Sequence, residues 1–363
     1  MNSSVAVEAL AVAVSSGVPV LLWGSPGTGK TSAVVALGEA LEWPVEVVIG
    51  SIREPSDFAG LPVVIDGAVH LAPPRWAQRL CQAERGLLFL DELTTAPPAV
   101  QAAMLRVILE RVVGDVTLPA AVRVVAAANP PEQAADGWEL APPLANRLVH
   151  LDWPVEAKSV ARGLAVGFPV PVLASLDERP SAAQTSTARA AVAAFLEVRP
   201  ALVLQVPGSS AGASRGWPSP RSWEAVARVL AGCEVSRASE DARAALVIGA
   251  VGEGPGLEFL SWLQHADLPD PDTVLADPDS FELPERSDRA FAVLTAVVAV
   301  AISYGDIASW DAAWRVVARA ARGAPDVATL VARTLAGRRP DGAELPAAVL
   351  ELAPVLRAAG LMR

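Results

Sequence analysis

The eight residues from Gly24 to Thr31 restrict the fold of this chain more than any other segment. They read GSPGTGKT, in which four residues separate the first and last glycine and a lysine and a threonine follow. With this spacing, backbone N–H groups of a glycine-rich turn point at phosphate oxygens, and the next helix N-terminus adds its dipole. The motif requires a strand before it and a helix after it, so it predicts a parallel α/β sheet.

The sequence on both sides of the motif fits that setting. VPVLLW at residues 18–23 predicts a buried strand, and TSAVVALGEAL at residues 31–41 predicts a helix. Lys30 is one of only two lysines in a chain that otherwise carries its positive charge on arginine. A compact ammonium reaches the β- and γ-phosphates as a point charge, which a planar guanidinium cannot do in the same space. We therefore predict an ATP site formed by Gly24, Pro26, Gly27, Thr28, Gly29, Lys30, Thr31 and Ser32.

Two adjacent acids end a second predicted strand. In GLLFLDEL at residues 86–93, five residues of buried-strand character precede Asp91 and Glu92. Open α/β sheets bind their ligands at the carboxyl ends of parallel strands. We expect Asp91, together with Thr31, to hold Mg²⁺ and Glu92 to orient and polarise the attacking water. Such a run can also be a strand that meets a solvated loop, but the upstream glycine-rich loop favours the catalytic role.

Three further polar residues are candidates for the same site. Asn129 ends a predicted strand at residues 122–129, where its amide could bond the water or the γ-phosphate. Arg147 follows a short predicted helix and is suited to reach a neighbouring subunit's site. Arg221 lies in the first turn of a helix, where a cation is unfavourable against the helix dipole, so a phosphate contact is favoured.

Several of these segments occur together in one family of ATPases. A proline-rich stretch at residues 93–105 follows the two acids, Asn129 precedes a proline, and residues 219–221 read Ser-Pro-Arg. With the glycine-rich loop, these features resemble the AAA+ ATPases and, within them, the MoxR branch. The resemblance is close over about residues 18–153.

The resemblance implies roles for the three polar candidates. Asn129 corresponds to sensor 1, Arg147 to the arginine finger that acts on a neighbouring subunit, and Arg221 to sensor 2. The family usually has an aromatic residue after the finger, whereas Leu148 follows Arg147 here. Other arginines could therefore share or take over the role in trans: Arg106, Arg111 and Arg123.

The family also has two β-hairpins, and both have counterparts in this sequence. An insertion that forms a hairpin facing the ring pore matches residues 56–73, where two short apolar runs flank Asp66-Gly67. A second hairpin, before sensor 1, is expected to centre on Gly114-Asp115.

The predicted fold class is α/β, with an AAA+ P-loop core, a five-stranded parallel sheet, an all-helical lid and a helical C-terminal region. We expect the core at residues 1–155, the lid with Arg221 at 156–265, and an acidic linker with the helical region at 266–363. The stretch 267–288 has eight acids and one arginine, which fits a solvated linker or a docking site for a basic partner. Whether the last region completes the lid or forms a domain of its own stays open. The five strands are predicted to begin near Pro19, Val45, Gly86, Val122 and Val149.

Composition limits the partners and the compartment. A net charge of −11 makes nucleic acid a less favoured partner than protein, because phosphate binding needs a basic surface. The longest apolar run, residues 290–304, is shorter than the roughly 20 residues of a spanning helix, so we expect a buried core helix and no membrane span. Cys81 and Cys233 are far apart, which favours reduced cysteines in a cytoplasmic protein.

These inferences predict a ring, expected to be a hexamer of this chain, that hydrolyses ATP to ADP and phosphate. The MoxR resemblance implies chaperone-like remodelling of a protein partner that contains a von Willebrand factor A domain. Two alternatives stay open at this point. One is a nucleotide-gated scaffold or switch with little turnover, and the other is a DNA-directed motor.

Overall fold

The computed structural model describes residues 2–130, 137–168, 179–266, 268–349 and 352. The chain divides into two units, one of residues 1–179 and 204–257 and the other of residues 180–203 and 258–363. The division predicted from sequence, with boundaries at 155 and 265, stays a prediction. Residue 267 of the acidic linker and residues 353–363 of the predicted helical region lie outside the described residues.

The first unit contains a parallel five-stranded sheet whose strands begin close to the five predicted positions. Three of these strands are almost entirely buried and apolar, as expected for a sheet covered on both faces. The described strands are β1 (Val20–Trp23), β2 (Val45–Ile49), β3 (Leu61–Ile65), β4 (Ala68–Ala72), β5 (Arg85–Asp91), β6 (Val112–Val113), β7 (Val116–Thr117), β8 (Ala121–Ala128) and β9 (Val149–Asp152). The order in the sheet is β2-β5-β8-β1-β9, which confirms the predicted fold class.

The strand register brings the predicted site residues to one edge of the sheet. Trp23, the last residue of β1, pairs with Ala128 at the end of β8. Ile49 at the end of β2 pairs with Asp91 at the end of β5. The glycine-rich loop, the two acids and Asn129 each follow one of these strand ends, so they share the carboxyl edge of the sheet.

Two antiparallel hairpins lie outside the sheet, at the positions that the sequence predicts. β3 pairs with β4 across a turn in which Asp66 and Gly67 have φ angles of 52° and 78°. Two successive positive φ angles are typical of a tight hairpin turn. β6 pairs with β7 across Gly114-Asp115. That the first hairpin faces a ring pore stays a prediction.

Most of the remaining regular structure in the described chain is helical. The helix that carries Arg221 begins with a capping box, because the Ser219 hydroxyl accepts a hydrogen bond from the Ser222 N–H and the Ser222 hydroxyl accepts one from the Ser219 N–H. The helices are α1 (Ser3–Ser15), α2 (Lys30–Ala40), α3 (Ser56–Ala59), α4 (Arg75–Ala83), α5 (Pro98–Glu110), α6 (Pro142–Ala145), α7 (Ala157–Val166), α8 (Ala182–Val198), α9 (Ser210–Ala213), α10 (Pro220–Ser236), α11 (Glu240–Val251), α12 (Glu253–Ala266), α13 (Pro271–Ala276), α14 (Ser287–Tyr304), α15 (Ile307–Ala320) and α16 (Pro325–Ala336).

The second unit is helical and has its own apolar core. Trp310 and Trp314 lie one turn apart on α15, and their rings meet edge to face at 5.8 Å in this core. Among the described residues, α14 is the one helix whose length and composition would allow it to cross a membrane. Half of its apolar window is buried, and Leu294 and Val297 pack in the core. This packing agrees with the core helix that the sequence predicts.

Candidate functional site

The glycine-rich loop has a backbone that side chains would disturb. Gly27 and Gly29 have φ angles of 75° and 85°, in the left-handed region that favours glycine. Gly24 lies under Trp153, so a Cβ on Gly24 would come 3.0 Å from both the Cβ and the carbonyl oxygen of Trp153. The loop then leads directly into α2, whose first residue is Lys30.

Lys30 is buried although it carries a charge. Its Nζ donates hydrogen bonds to the carbonyl oxygens of Gly24, at 2.5 Å, and Ser25, at 3.0 Å, and lies 3.4 Å from Oδ1 of Asn129. Burial lowers the pKa of Lys30, and the negative charge of Asp91 opposes that effect. The ammonium group is therefore held between the glycine-rich loop and the end of β8.

Thr31 and Asp91 connect the loop to the end of β5. The Thr31 hydroxyl donates a hydrogen bond of 2.9 Å to Oδ2 of Asp91, and Oδ1 of Asp91 accepts one of 2.9 Å from the Glu92 N–H. A hydroxyl and a carboxylate at this spacing fit Mg²⁺, which takes one or two protein oxygens and completes its shell with phosphates and waters. In the described part of the chain, no group of three or more His, Cys, Asp or Glu side chains could hold a metal alone. The residues thus fit a magnesium ion that arrives with its nucleotide.

Glu92 has an unusual backbone conformation and a fixed side chain. Its φ angle of 56° is uncommon for a residue other than glycine and costs on the order of 1 kcal/mol or more. Its carboxylate accepts a hydrogen bond from the Ser51 hydroxyl. Ser51 lies in a short 3₁₀ helix, Gly50–Ile52, directly after β2. The sequence analysis missed Ser51, although a hydroxyl just after a strand end is a signal that could have pointed to it.

Asn129 completes this group of side chains. Its amide oxygen faces Lys30, and its carbonyl oxygen accepts a hydrogen bond of 3.4 Å from the Thr94 hydroxyl. The structure therefore brings together five of the predicted residues at the carboxyl edge of the sheet: Lys30, Thr31, Asp91, Glu92 and Asn129.

Arg147 and Arg221 form a separate pair. Burial lowers the pKa of Arg147, and the positive charge of Arg221 lowers it further. The Nε of Arg147 is buried and has no hydrogen-bond partner among the described residues, while its Nη1 donates to the Pro143 carbonyl. Among the residues that the structure describes, Arg147 and Arg221 form no ion pair and no hydrogen bond with the glycine-rich loop, Asp91 or Glu92.

A buried polar bridge joins the two segments that carry these arginines, and sequence reasoning missed it. Asn146 donates a hydrogen bond of 2.8 Å to the Trp217 carbonyl and accepts one of 2.7 Å from the Ser219 hydroxyl. Asn146 precedes Arg147, and Ser219 is the N-cap of α10, which carries Arg221. The bridge thus joins the backbones of the two segments directly beside the arginines.

The other arginines considered for a role in trans are occupied elsewhere. Arg106 pairs with Glu110 at 3.0 Å. Arg111 donates to the Val122 carbonyl at 2.8 Å, and Arg123 donates to the Val14 carbonyl at 3.0 Å. The last two contacts lie near the start of β8, at the opposite edge of the sheet from the glycine-rich loop.

Trp153 and Trp23 support the glycine-rich loop on the side of the sheet where β9 lies. The Trp153 indole N–H donates to the Thr28 carbonyl at 3.2 Å, and the Trp153 backbone N–H donates to the Trp23 carbonyl at 2.6 Å. The guanidinium of Arg215 lies 4.4 Å from the centre of the Trp23 ring and pairs with Asp152 at 2.9 Å. These contacts connect residues far apart in sequence, and the sequence analysis did not single them out.

His150 lies behind Trp23 in a fully buried position. The Trp23 indole N–H donates to Nδ1 of His150 at 2.8 Å, so the ring hydrogen is on Nε2, which donates to the Ala145 carbonyl at 2.9 Å. Burial lowers the pKa of His150 to about 4. The imidazole is therefore neutral near pH 7 and acts as a fixed support for the end of β1.

Comparison with known proteins agrees with this geometry. Residues 2–150 match the family model described as Sigma-54 interaction domain, which belongs to the AAA+ family. These residues form an AAA+ ATPase-type domain. Such a domain implies nucleotide binding with a divalent metal. The MoxR branch within that family stays a prediction.

Two relatives align with parts of the domain. The Psp operon transcriptional activator of Escherichia coli (strain K12) is 38% identical over 122 residues, which are 31% of this chain and 37% of the relative. The Nif-specific regulatory protein of Bradyrhizobium diazoefficiens is 33% identical over 144 residues, which are 35% of this chain and 23% of the relative. This chain thus aligns with less than two fifths of the length of either relative.

Two solved structures resemble the chain with TM-scores below 0.5. One is a protein assigned as an ATPase from Cytophaga hutchinsonii, with a TM-score of 0.42 and 18% identity over 70% of this chain and 78% of that protein. The other is a full-length MCM homolog from Methanopyrus kandleri, with a TM-score of 0.40 and 19% identity over 70% of this chain and 54% of that protein.

Proposed function

We propose that this chain is a Mg²⁺-dependent ATPase that hydrolyses ATP to ADP and phosphate. The observation that carries the proposal is the hydrogen bond between Thr31 and Asp91, with Lys30, Glu92 and Asn129 beside it. A nucleotide loop alone is compatible with binding and release. An acidic residue next to the metal-binding carboxylate, fixed by Ser51, supports hydrolysis as well.

Each residue has a role in this proposal. The loop N–H groups and Lys30 bind the phosphates, and Thr31 and Asp91 would hold Mg²⁺, which neutralises developing charge on the phosphate oxygens when bound. Glu92 accepts a proton from the attacking water. Ser51 holds the Glu92 carboxylate, and Asn129 orients the water or the γ-phosphate.

We infer further that Arg147 and Arg221 serve one anion together. The Asn146 bridge brings the segments of Arg147 and Arg221 together, and a phosphate bound by both would offset the repulsion between their positive charges. The resemblance assigns Arg147 to the site of a neighbouring subunit, and the Asn146 bridge ties the Arg221 segment to it, so we assign both arginines to that site. Sensor 2, the role that the resemblance implies for Arg221, would then act in trans as well. The proposed assembly is a ring of this chain, a hexamer, in which each subunit completes the next site.

We propose that the ring acts on a protein partner in the cytoplasm. All of β3 and the first three residues of β4 are exposed, and the apolar side chains Val64 and Val69 are 74% and 68% exposed. Contiguous exposed apolar side chains mark surfaces that bind other proteins. The MoxR resemblance favours a partner with a von Willebrand factor A domain and chaperone-like remodelling.

A second candidate partner has its own support. The matched family model is named for interaction with sigma-54, and the two relatives are a transcriptional activator and a regulatory protein by name. Under this alternative the ring would act on a sigma-54-type transcription factor rather than on a von Willebrand factor A protein. A DNA-directed motor is less favoured, because the chain carries a net charge of −11.

Phosphate release as a function of protein concentration tests the enzymatic proposal. The proposal predicts turnover that rises steeply as subunits assemble, since an arginine in trans contributes about 10³–10⁵ in related sites. Glu92→Gln is expected to bind ATP normally and to stop turnover. Hydrolysis that Glu92→Gln leaves undiminished would remove Glu92 from its role. An assembled wild-type protein that binds ATP without turnover would favour the switch instead.

Capture in the ATP state separates the two partners. Glu92→Gln protein with Mg²⁺ and ATP is mixed with purified sigma-54 or with a purified von Willebrand factor A protein from the same cell. Val64→Asp in the same background serves as the matched control, because it places a charge on the exposed hairpin and leaves the nucleotide site intact. A partner retained by Glu92→Gln and lost with the second change is the one the hairpin binds. Retention of neither protein would contradict both assignments.

A further inference from the structure

The two hairpins of the first unit contact each other through the turn of the second. The backbone N–H of Asp115 donates to the Leu71 carbonyl at 2.9 Å, and the Leu71 N–H donates to Oδ2 of Asp115 at 2.9 Å. Nδ1 of His70 lies 3.5 Å from the same carboxylate oxygen. Asp115 therefore satisfies both backbone groups of Leu71, as a neighbouring strand would, at an edge of β4 that β3 leaves free.

The glycines at this contact allow a close approach. A Cβ on Gly60 would lie 2.7 Å from the Cα of Gly114, and a Cβ on Gly114 would collide with the Leu71 carbonyl oxygen. Gly60 and Gly114 also have φ angles of 86° and 58°. The base of the first hairpin and the turn of the second thus fit together only because both positions lack a side chain.

The second hairpin is firmly anchored, whereas the outer part of the first is not. Val113 and Leu118 are buried in the core of the domain. Arg111 donates to the carbonyl oxygens of Leu118 and Val122, which ties the base of the second hairpin to the start of β8. In contrast, every residue of β3 is exposed.

We propose that Asp115 latches the β3–β4 hairpin onto the β6–β7 hairpin, so that the apolar surface moves with the strand that carries Asn129. This inference rests on the proposed function, because it gives the nucleotide site a route to the partner surface. Asp115 is a positioning residue, because it acts through its hydrogen bonds to Leu71. Its carboxylate fixes the position of β4 relative to the β6–β7 hairpin. That hairpin leads into β8, and Asn129 at the end of β8 lies beside Lys30.

Amide hydrogen exchange of the full-length protein without nucleotide tests the latch. Asp115→Ala removes the acceptor, and we expect exchange at the Leu71 amide to become about tenfold faster or more, since a charged hydrogen-bond partner is lost. Asp115→Asn keeps an oxygen acceptor at the same place and is expected to restore most of the protection. His70→Ala is the matched control and is expected to leave the Leu71 amide unchanged. An Asp115→Ala protein with wild-type exchange at Leu71, or an Asp115→Asn protein without restored protection, would overturn the latch.

The same measurement with Mg²⁺ and a slowly hydrolysed ATP analogue tests the route. In the wild type, the analogue is expected to change exchange in both hairpins together. In Asp115→Ala, the response of β3–β4 is expected to vanish while the analogue binds with unchanged affinity. A variant whose β3–β4 hairpin still responds as in the wild type would overturn the coupling. A wild-type protein that does not bind the analogue would contradict the proposed function. The exchange rates at Leu71 without nucleotide would still show whether Asp115 holds the β3–β4 hairpin.

Discussion

The hydroxyl of Thr31 donates a hydrogen bond of 2.9 Å to Oδ2 of Asp91, a residue 60 positions further along the chain. This bond joins the start of α2 to the end of β5. It places a hydroxyl oxygen and a carboxylate oxygen together on the side of the sheet where the glycine-rich loop opens. Both oxygens of such a pair can bind one Mg²⁺, so the loss of either is expected to weaken its binding.

We predict that Thr31→Ala raises the Mg²⁺ concentration needed for half-maximal ATP turnover by about tenfold or more. Thr31→Ser keeps the hydroxyl and is expected to stay close to the wild type. The measurement is phosphate release as a function of Mg²⁺ at saturating ATP. Equal Mg²⁺ requirements in the two variants would contradict a metal-binding role for the hydroxyl.

Trp153→Phe is expected to weaken ATP binding by about twofold to tenfold, the effect of one neutral hydrogen bond. The substitution removes the N–H that donates to the Thr28 carbonyl and keeps the Cβ and backbone that lie against Gly24. Titration with a fluorescent ATP analogue measures the affinity. Trp262→Phe is the control, because the Trp262 indole bonds Asp288 in the second unit. Equal affinities in the two variants would show that Trp153 does not hold the loop.

Much of the domain could be predicted because its signals are local. The glycine-rich loop, the apolar run before Asp91 and the turns at Asp66-Gly67 and Gly114-Asp115 each encode their structure in a few adjacent residues. The starting points of the five sheet strands followed from the same patterns. The predicted fold class depended on little more than these.

The remaining features depend on which elements become neighbours. Ser51 reaches Glu92 because β2 lies beside β5, and Trp153 reaches Thr28 because β9 lies beside β1. The segments of Arg147 and Arg221 meet through the Asn146 bridge, which joins residues more than 70 positions apart. No local pattern encodes strand order or such bridges, so the sequence identified the residues without their partners.

The stability of the first unit is expected to fall on mild acidification because of His150. Its pKa of about 4 lies below the ordinary value of 6.5. Between these two pH values the imidazole is protonated in the unfolded chain and neutral in the folded chain. The stability that the neutral imidazole provides is complete above pH 6.5 and is lost as the pH falls toward 4. At pH 5 the loss amounts to about 2 kcal/mol.

Urea unfolding at pH 8 and pH 5 measures this effect. His150→Gln has no titrating group at this position and is expected to show a smaller pH dependence than the wild type. His70→Gln alters an exposed histidine and is expected to keep the wild-type dependence. The same pH dependence in all three proteins would contradict the account of the buried imidazole.

ATP turnover in mixed rings tests the central claim that each site is shared between two subunits. Arg147→Ala and Glu92→Gln are each expected to be almost inactive alone. In an equimolar mixture, roughly a quarter of the interfaces of a head-to-tail ring would combine an intact Glu92 with a neighbour's intact Arg147, so turnover should reappear. Turnover that stays at the level of the separate variants, in rings shown to exchange subunits, would contradict the shared site.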